Sequence, residues 1–200
     1  MAMLAALVQS ALPCTVQRIG PVADQLDALA AALRQAEGAD VVVTSGGASV
    51  GDHDLVRPAL EAWGAQIDFW RVAVKPGKPI MLARRGAQLV LGLPGNPVSS
   101  HVTAFLFLLP LLRAMLGAAA PLPRAFMAAL AEALPQGGDR QEFLRAHWDG
   151  TRLTTAVNQD SGALAALGAS NALIERAALA PAAAANSVVR AYLLENGGIA

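Results

Sequence analysis

Apolar and polar positions alternate along the first half of the chain in a way that predicts helices and strands in turn. Residues 2–11 are helical in composition and hold no turn residue. Residues 15–19 read as a short strand, closed by Gly20-Pro21. Residues 24–37 place Leu26, Leu29, Ala30 and Leu33 on one helical face, and Gly38 stops the helix. The unbroken run Val41, Val42, Val43 reads as a strand buried on both faces, as in a parallel sheet. A helix over 55–63, capped by Asp54, follows. A strand over 67–74 and two more at 80–83 and 89–91, around Arg84-Arg85-Gly86, come next. A long helix over 98–116 starts behind Pro97 and is kinked or divided at Pro110. The alternation predicts an α/β domain, a three-layer parallel or mixed sheet covered on both faces, over residues 1–117.

Beyond Gly117 the pattern changes. Residues 118–124 (Ala-Ala-Ala-Pro-Leu-Pro-Arg) form a linker by composition. Short apolar runs at 126–133, 142–148, 152–157, 172–176 and 187–194 are spaced as strands, with a short helix at 164–167. They predict a small all-β sandwich or barrel over 125–200.

Composition narrows the function classes. Fifteen basic and fifteen acidic residues balance, and neither half is strongly charged, which argues against nucleic acid or a membrane surface as partner. The apolar run 102–112 is too short to span a bilayer and contains Pro110. One cysteine, Cys14, excludes an internal disulfide, fits a cytoplasmic setting and reads as a small buried apolar residue. Only two lysines occur against thirteen arginines, and both lie in Lys75-Pro-Gly-Lys78-Pro79, where a compact ammonium is called for.

Three loops fall where strands should end. Residues 45–54 (Ser-Gly-Gly-Ala-Ser-Val-Gly-Asp-His-Asp) offer backbone N–H groups at Ser45, Gly46, Gly47, Ser49 and Gly51, then the carboxylates of Asp52 and Asp54. Residues 75–79 offer the ammonium groups of Lys75 and Lys78. Residues 93–100 offer Pro94, Gly95, Asn96, Pro97 and a helix start with Ser99 and Ser100. Strand ends gather on one edge of such a sheet, so all three should line one cleft. The donor set suits a phosphate or other oxyanion, with carboxylates able to hold Mg²⁺. His53 reads as a solvated loop residue, and His101 and His147 lack ligand partners at diagnostic spacing. Ser45 and Ser49 have no context for a hydrolase triad. Trp63, Trp70 and Trp148 read as core or interface residues.

These three loops, in this order, resemble the MoeA family of molybdopterin molybdenumtransferases, represented in animals by the C-terminal part of gephyrin. Arg140-Gln-Glu-Phe-Leu-Arg145 and Gln159-Asp-Ser-Gly-Ala-Leu164 are similar to that family's C-terminal β-domain. The resemblance implies insertion of molybdate into adenylylated molybdopterin with release of AMP, assisted by Mg²⁺ or Zn²⁺. It implies Asp52, Asp54, Lys75 and Lys78 as catalytic residues, the two aspartates holding the metal. The implied partners are a second copy in a homodimer and a molybdopterin adenylyltransferase. Family members open with two further domains, and with a strand and a Gly-Asp-Glu-Leu-type motif before the helix at which this chain starts. The resemblance therefore implies an N-terminally truncated chain. The rival readings are a catalytically silent pterin-binding and dimerisation module, and a related adenylyltransferase or CinA-type nucleotide enzyme. The appended β-domain argues against the latter.

Overall fold

A computed structural model describes residues 2–47, 55–77, 79–160, 162 and 164–198. Helix α1 (Ala2–Ala11) buries Leu4 and Val8, one turn apart on a single face. Residues 15–19 form no strand. A strand pattern becomes a strand only with a neighbour to pair with, and here none is formed. Helix α2 (Leu26–Gln35) buries Leu33, while Leu26 at its first turn is 49% exposed and lies off the expected apolar face.

Strand β1 (Val41–Ser45) follows, then α3 (Val56–Ala62), which buries Ala59 and Leu60. The expected strand over 67–74 is two strands in two different sheets: β2 (Gln66–Trp70) and β3 (Val74–Lys75). Arg71, at φ 98°, breaks the extended backbone between them. Strands β4 (Met81–Arg85) and β5 (Gln88–Leu93) form the expected hairpin, paired Arg85↔Gln88 through Met81↔Gly92. The first sheet has the order β1-β5-β4-β2. Only the β1–β5 pair is parallel, so the sheet is mixed.

Strand alternation sorts this sheet's side chains into two cores. Leu91 and Leu93 of β5, joined by Val41 and Val43, face α1 and the long helix with Phe105 and Leu109. Val90 and Val42 face the other way, onto Leu33, Ala59 and Leu60 of α2 and α3. The layers are α/β/α, as expected. β1 itself is half-buried throughout rather than fully buried, because among the described residues it pairs with β5 alone and forms one edge of the sheet.

The long helix does not break at Pro110. Helix α4 (Pro97–Thr103) passes through a π-helical turn, Ala104–Leu108, into α5 (Leu109–Met115). The wider turn lies just ahead of Pro110, whose ring cannot sit under an ordinary α-helical carbonyl. The continuous 19 residues are long and apolar enough to cross a membrane by length and composition, but 61% of the most apolar stretch is buried in the fold. Such burial is that of a core helix.

The second sheet contains β6 (Ala125–Leu130), β7 (Gln141–Trp148), β8 (Arg152–Thr155), β9 (Ala172–Arg176) and β10 (Val188–Leu193). Its order β7-β8-β6-β10-β9 closes on itself through β7–β9, making a five-stranded barrel rather than a sandwich. Ala128, Leu130, Ala146, Leu153, Ala172, Ile174 and Ala191 fill it. Alanines, poor strand formers, are tolerated because a small barrel has little interior to fill. The short helix α6 (Leu164–Gly168) lies between β8 and β9. β3 pairs parallel with β7, Val74↔Gln141 and Lys75↔Glu142, so the connection leaving the α/β sheet is hydrogen-bonded to the barrel.

Candidate functional site

β1 and β5 run parallel and end side by side, with Ser45 opposite Leu93. Gly46 (φ 92°) and Gly47 (φ 69°) then turn in the left-handed region, which glycine adopts without a Cβ penalty. The Gly46 N–H donates to the Leu93 carbonyl at 3.1 Å. A Cβ on Gly95 would lie only 3.2 Å from Gly46 Cα, so the first and third loops meet backbone to backbone. The Ser45 hydroxyl lies 3.4 Å from both the Pro94 carbonyl and Ser100 Oγ. Ser100 also donates to Pro94, locking the loop to the helix start.

Asn96 caps α4. Its Oδ1 accepts the N–H groups of Val98 at 3.0 Å and Ser99 at 3.2 Å, with Pro97 filling the first helical position. The side-chain carbonyl of Asn96 is thus engaged by the helix start. Ser99 is buried beneath that turn, and Thr103 Oγ1 donates to its carbonyl at 2.7 Å.

The second loop reaches the same place. Gly77 (φ 115°) lies so close to Thr103 that a Cβ would overlap the threonine methyl, and it would stand 4.0 Å from Pro94 Cγ. Lys75, however, is not simply offered to the cleft. Its Nζ donates to Glu142 Oε1 of β7 at 3.0 Å, a partner the sequence analysis did not name. An ammonium carries three donors, and this bond uses one of them.

Residues 48–54 and 78 lie outside the described residues, and with them Ser49, Gly51, Asp52, His53, Asp54 and Lys78. Among the described residues no three His, Cys, Asp or Glu side chains converge as a metal site. His101 is half-buried, desolvation lowers its imidazole from the ordinary histidine range, and its Nδ1 is buried with no hydrogen-bond partner among the described residues. His147 is exposed, Cys14 is half-buried against the first core, and Trp148 packs edge-on against Phe126 at 5.2 Å.

Sequence reasoning also missed what the Arg140–Arg145 stretch does. Arg145 is the largest fully buried side chain, and its Nη2 donates to the carbonyls of Asn158 at 2.9 Å and Asp160 at 3.0 Å. Gln159 clasps the same residue, accepting from Arg145 N at 3.1 Å and donating to its carbonyl at 2.8 Å. Arg140 faces Val72 and Ala73 across an open groove of about 460 Å³ that Arg71 and Asp139 also line. The one available signal was the recurrence of two motifs whose Arg145 and Gln159 lie 14 residues apart and bond to each other in both directions.

With this geometry in place, the likeness to known proteins is specific. Residues 1–114 match the family described as probable molybdopterin binding domain, and residues 127–194 the MoeA C-terminal region (domain IV). The molybdopterin molybdenumtransferase of Bacillus subtilis is 34% identical over 161 residues, covering 78% of this chain and 37% of that protein. Its namesake in Synechococcus elongatus is 44% identical over 107 residues, 52% of this chain and 27% of that one. The crystal structure of the molybdopterin biosynthesis MoeA protein from Pyrococcus horikosii superposes with a TM-score of 0.72 at 26% identity, covering 86% of this chain and 42% of that chain. A molybdenum cofactor biosynthesis protein from Pyrococcus furiosus shares the fold, with a TM-score of 0.71 at 21% identity. The chain thus spans well under half the length of these two curated relatives. A molybdopterin-binding α/β fold followed in order by the MoeA C-terminal barrel places this chain in the MoeA family.

Proposed function

We propose that this chain is the pterin-nucleotide-binding and barrel portion of a molybdenum-inserting transferase of molybdenum cofactor biosynthesis. Its reaction places molybdate in the dithiolene of adenylylated molybdopterin and releases AMP. The observation that carries this reading is the close approach of Gly46 and Gly95 at the paired carboxyl ends of β1 and β5, with Gly77 packed on Thr103 near Pro94 and Lys75 on the same loop as Gly77. The loop carrying Ser45, Gly46, Gly47, Ser49 and Gly51 is assigned to a phosphate of the pterin nucleotide, with the Gly46 N–H kept in its bond to Leu93 and the N–H groups beyond it as the donors. Pro94, Gly95, Asn96, Pro97 and Ser99 shape the opposite wall, where the Asn96 amide nitrogen is the donor not used for capping. Lys75 and Lys78 are assigned to the molybdate or phosphate oxyanion.

Asp52 and Asp54 are the proposed ligands of Mg²⁺ or Zn²⁺, which would polarise the phosphoanhydride when bound. Both aspartates lie outside the described residues. The similarity to molybdopterin molybdenumtransferases and the two family matches support the transferase over an adenylyltransferase or CinA-type reading, because the barrel matches the MoeA C-terminal region. A homodimer, an adenylyltransferase as donor of the nucleotide substrate, and a cytoplasmic location complete the proposal. The test is quantification of AMP after the chain is mixed with adenylylated molybdopterin, molybdate and Mg²⁺. Molybdate-dependent AMP release is expected. Binding without release would make the chain a silent pterin-binding module.

A further inference from the structure

We infer that Glu142, on the barrel, is the positioning residue for Lys75, so that the barrel fixes where the α/β domain holds a tetrahedral oxyanion. The inference rests on the oxyanion role proposed for Lys75.

A lysine ammonium on four rotatable carbons does not select a direction by itself. Here β3 and β7 pair parallel with Lys75 opposite Glu142, and Nζ meets Oε1 at 3.0 Å. The two ends of the pair are unequal. The Lys75 side chain is 50% exposed, the Glu142 side chain only 11%. Glu142 is the more buried end: its backbone lies opposite Arg176 in the β7–β9 ladder, and a Cβ on Gly137 would stand 3.5 Å from its Oε2. The two neighbouring arginines bond elsewhere. Arg176 donates to the carbonyls of Pro135, Ala180 and Pro181, and Arg140 lies 3.7 Å from Asp139 and reaches the Val74 carbonyl at 3.5 Å. Glu142 therefore anchors one N–H of Lys75 at the barrel edge and leaves two for an oxyanion on the exposed side.

The experiment is calorimetric titration of the full chain with sodium molybdate. Glu142→Ala should weaken binding at least tenfold, while Glu142→Gln, which keeps the carbonyl acceptor, should bind within threefold of the wild type. In the Lys75→Ala background, Glu142→Ala should add nothing, as expected of a residue acting through Lys75. Unchanged binding in Glu142→Ala, or a further loss beyond Lys75→Ala in the double variant, would overturn the inference. The pair can also be read without any ligand, because the chain has two lysines. The Lys75 ¹⁵Nζ resonance, slowed in proton exchange by its partner, should be lost in Glu142→Ala and kept in Glu142→Gln; an unmoved resonance in Glu142→Ala refutes the positioning. If that resonance behaves as expected while Lys75→Ala still binds molybdate normally, it is the oxyanion role that fails.

Discussion

Asp149 illustrates how much a single exposed side chain does in this fold. At the turn between β7 and β8 its Oδ1 accepts the N–H groups of Arg152 and Thr151, each at 2.7 Å, and the Thr151 hydroxyl at 2.8 Å. These bonds, the Arg152 N–H foremost, pull its carboxyl down to about 2 from 3.8. The folded state therefore binds fewer protons than the unfolded chain between those values. The contribution to stability is present above about pH 4 and disappears as the pH falls through about 2. Denaturant unfolding of wild type and Asp149→Ala across pH 5 to 2 should show a shallower acid slope in the variant. Equal slopes would mean the turn is held by something else. Lys75 and Arg145 make the same point about pairs. Each is recognisable in sequence as a cation in a motif, yet their partners, Glu142 and the Asn158 and Asp160 carbonyls, emerge only when β7 is placed.

Elements were legible where one stretch of chain decides the outcome. The helix over 2–11, the hairpin after Gly86 and the barrel strands follow local periodicity and turn chemistry, and the structure keeps them. Elements that depend on a distant neighbour were not legible. Residues 15–19 have strand composition but no partner, and β1 has strand partners on one side only. Residues 67–74 look continuous, yet Arg71 sends the two halves into separate sheets. The glycine loops were readable as strand ends, and their described parts do come together. Residues 48–54 and 78, which carry the expected carboxylates and the second ammonium, lie outside the described residues.

The loop convergence makes its own prediction. Gly77 has φ 115° and a Cβ there would overlap the Thr103 methyl. Gly77→Ala should cost on the order of 1–3 kcal/mol from backbone strain and overpacking together. Thr103→Ser, by removing the methyl, should recover only the packing part. Chemical denaturation of the single and double variants measures both terms, and a stable Gly77→Ala would show that the loop does not pack as described.

At the scale of the molecule, two sheets are tied by more than the 118–124 connection. β3 leaves the α/β sheet to pair with β7, and Arg113 of α5 donates to the carbonyl of Gly197 beyond β10. Arg124 N donates to the Gly198 carbonyl at 2.8 Å, where a Cβ on Gly198 would crowd Phe105 at 2.6 Å. The barrel is thereby tied to the long helix and, through the β3–β7 pairing, sets Glu142 against Lys75. The central claim is that these loops recognise the adenylylated pterin. The most direct test is calorimetric titration of the chain with adenylylated molybdopterin, for wild type and Lys75→Ala. The account predicts one saturable site per chain that weakens at least tenfold in the variant while the fold is retained. No saturable binding by the wild type, or equal binding by both, would contradict it.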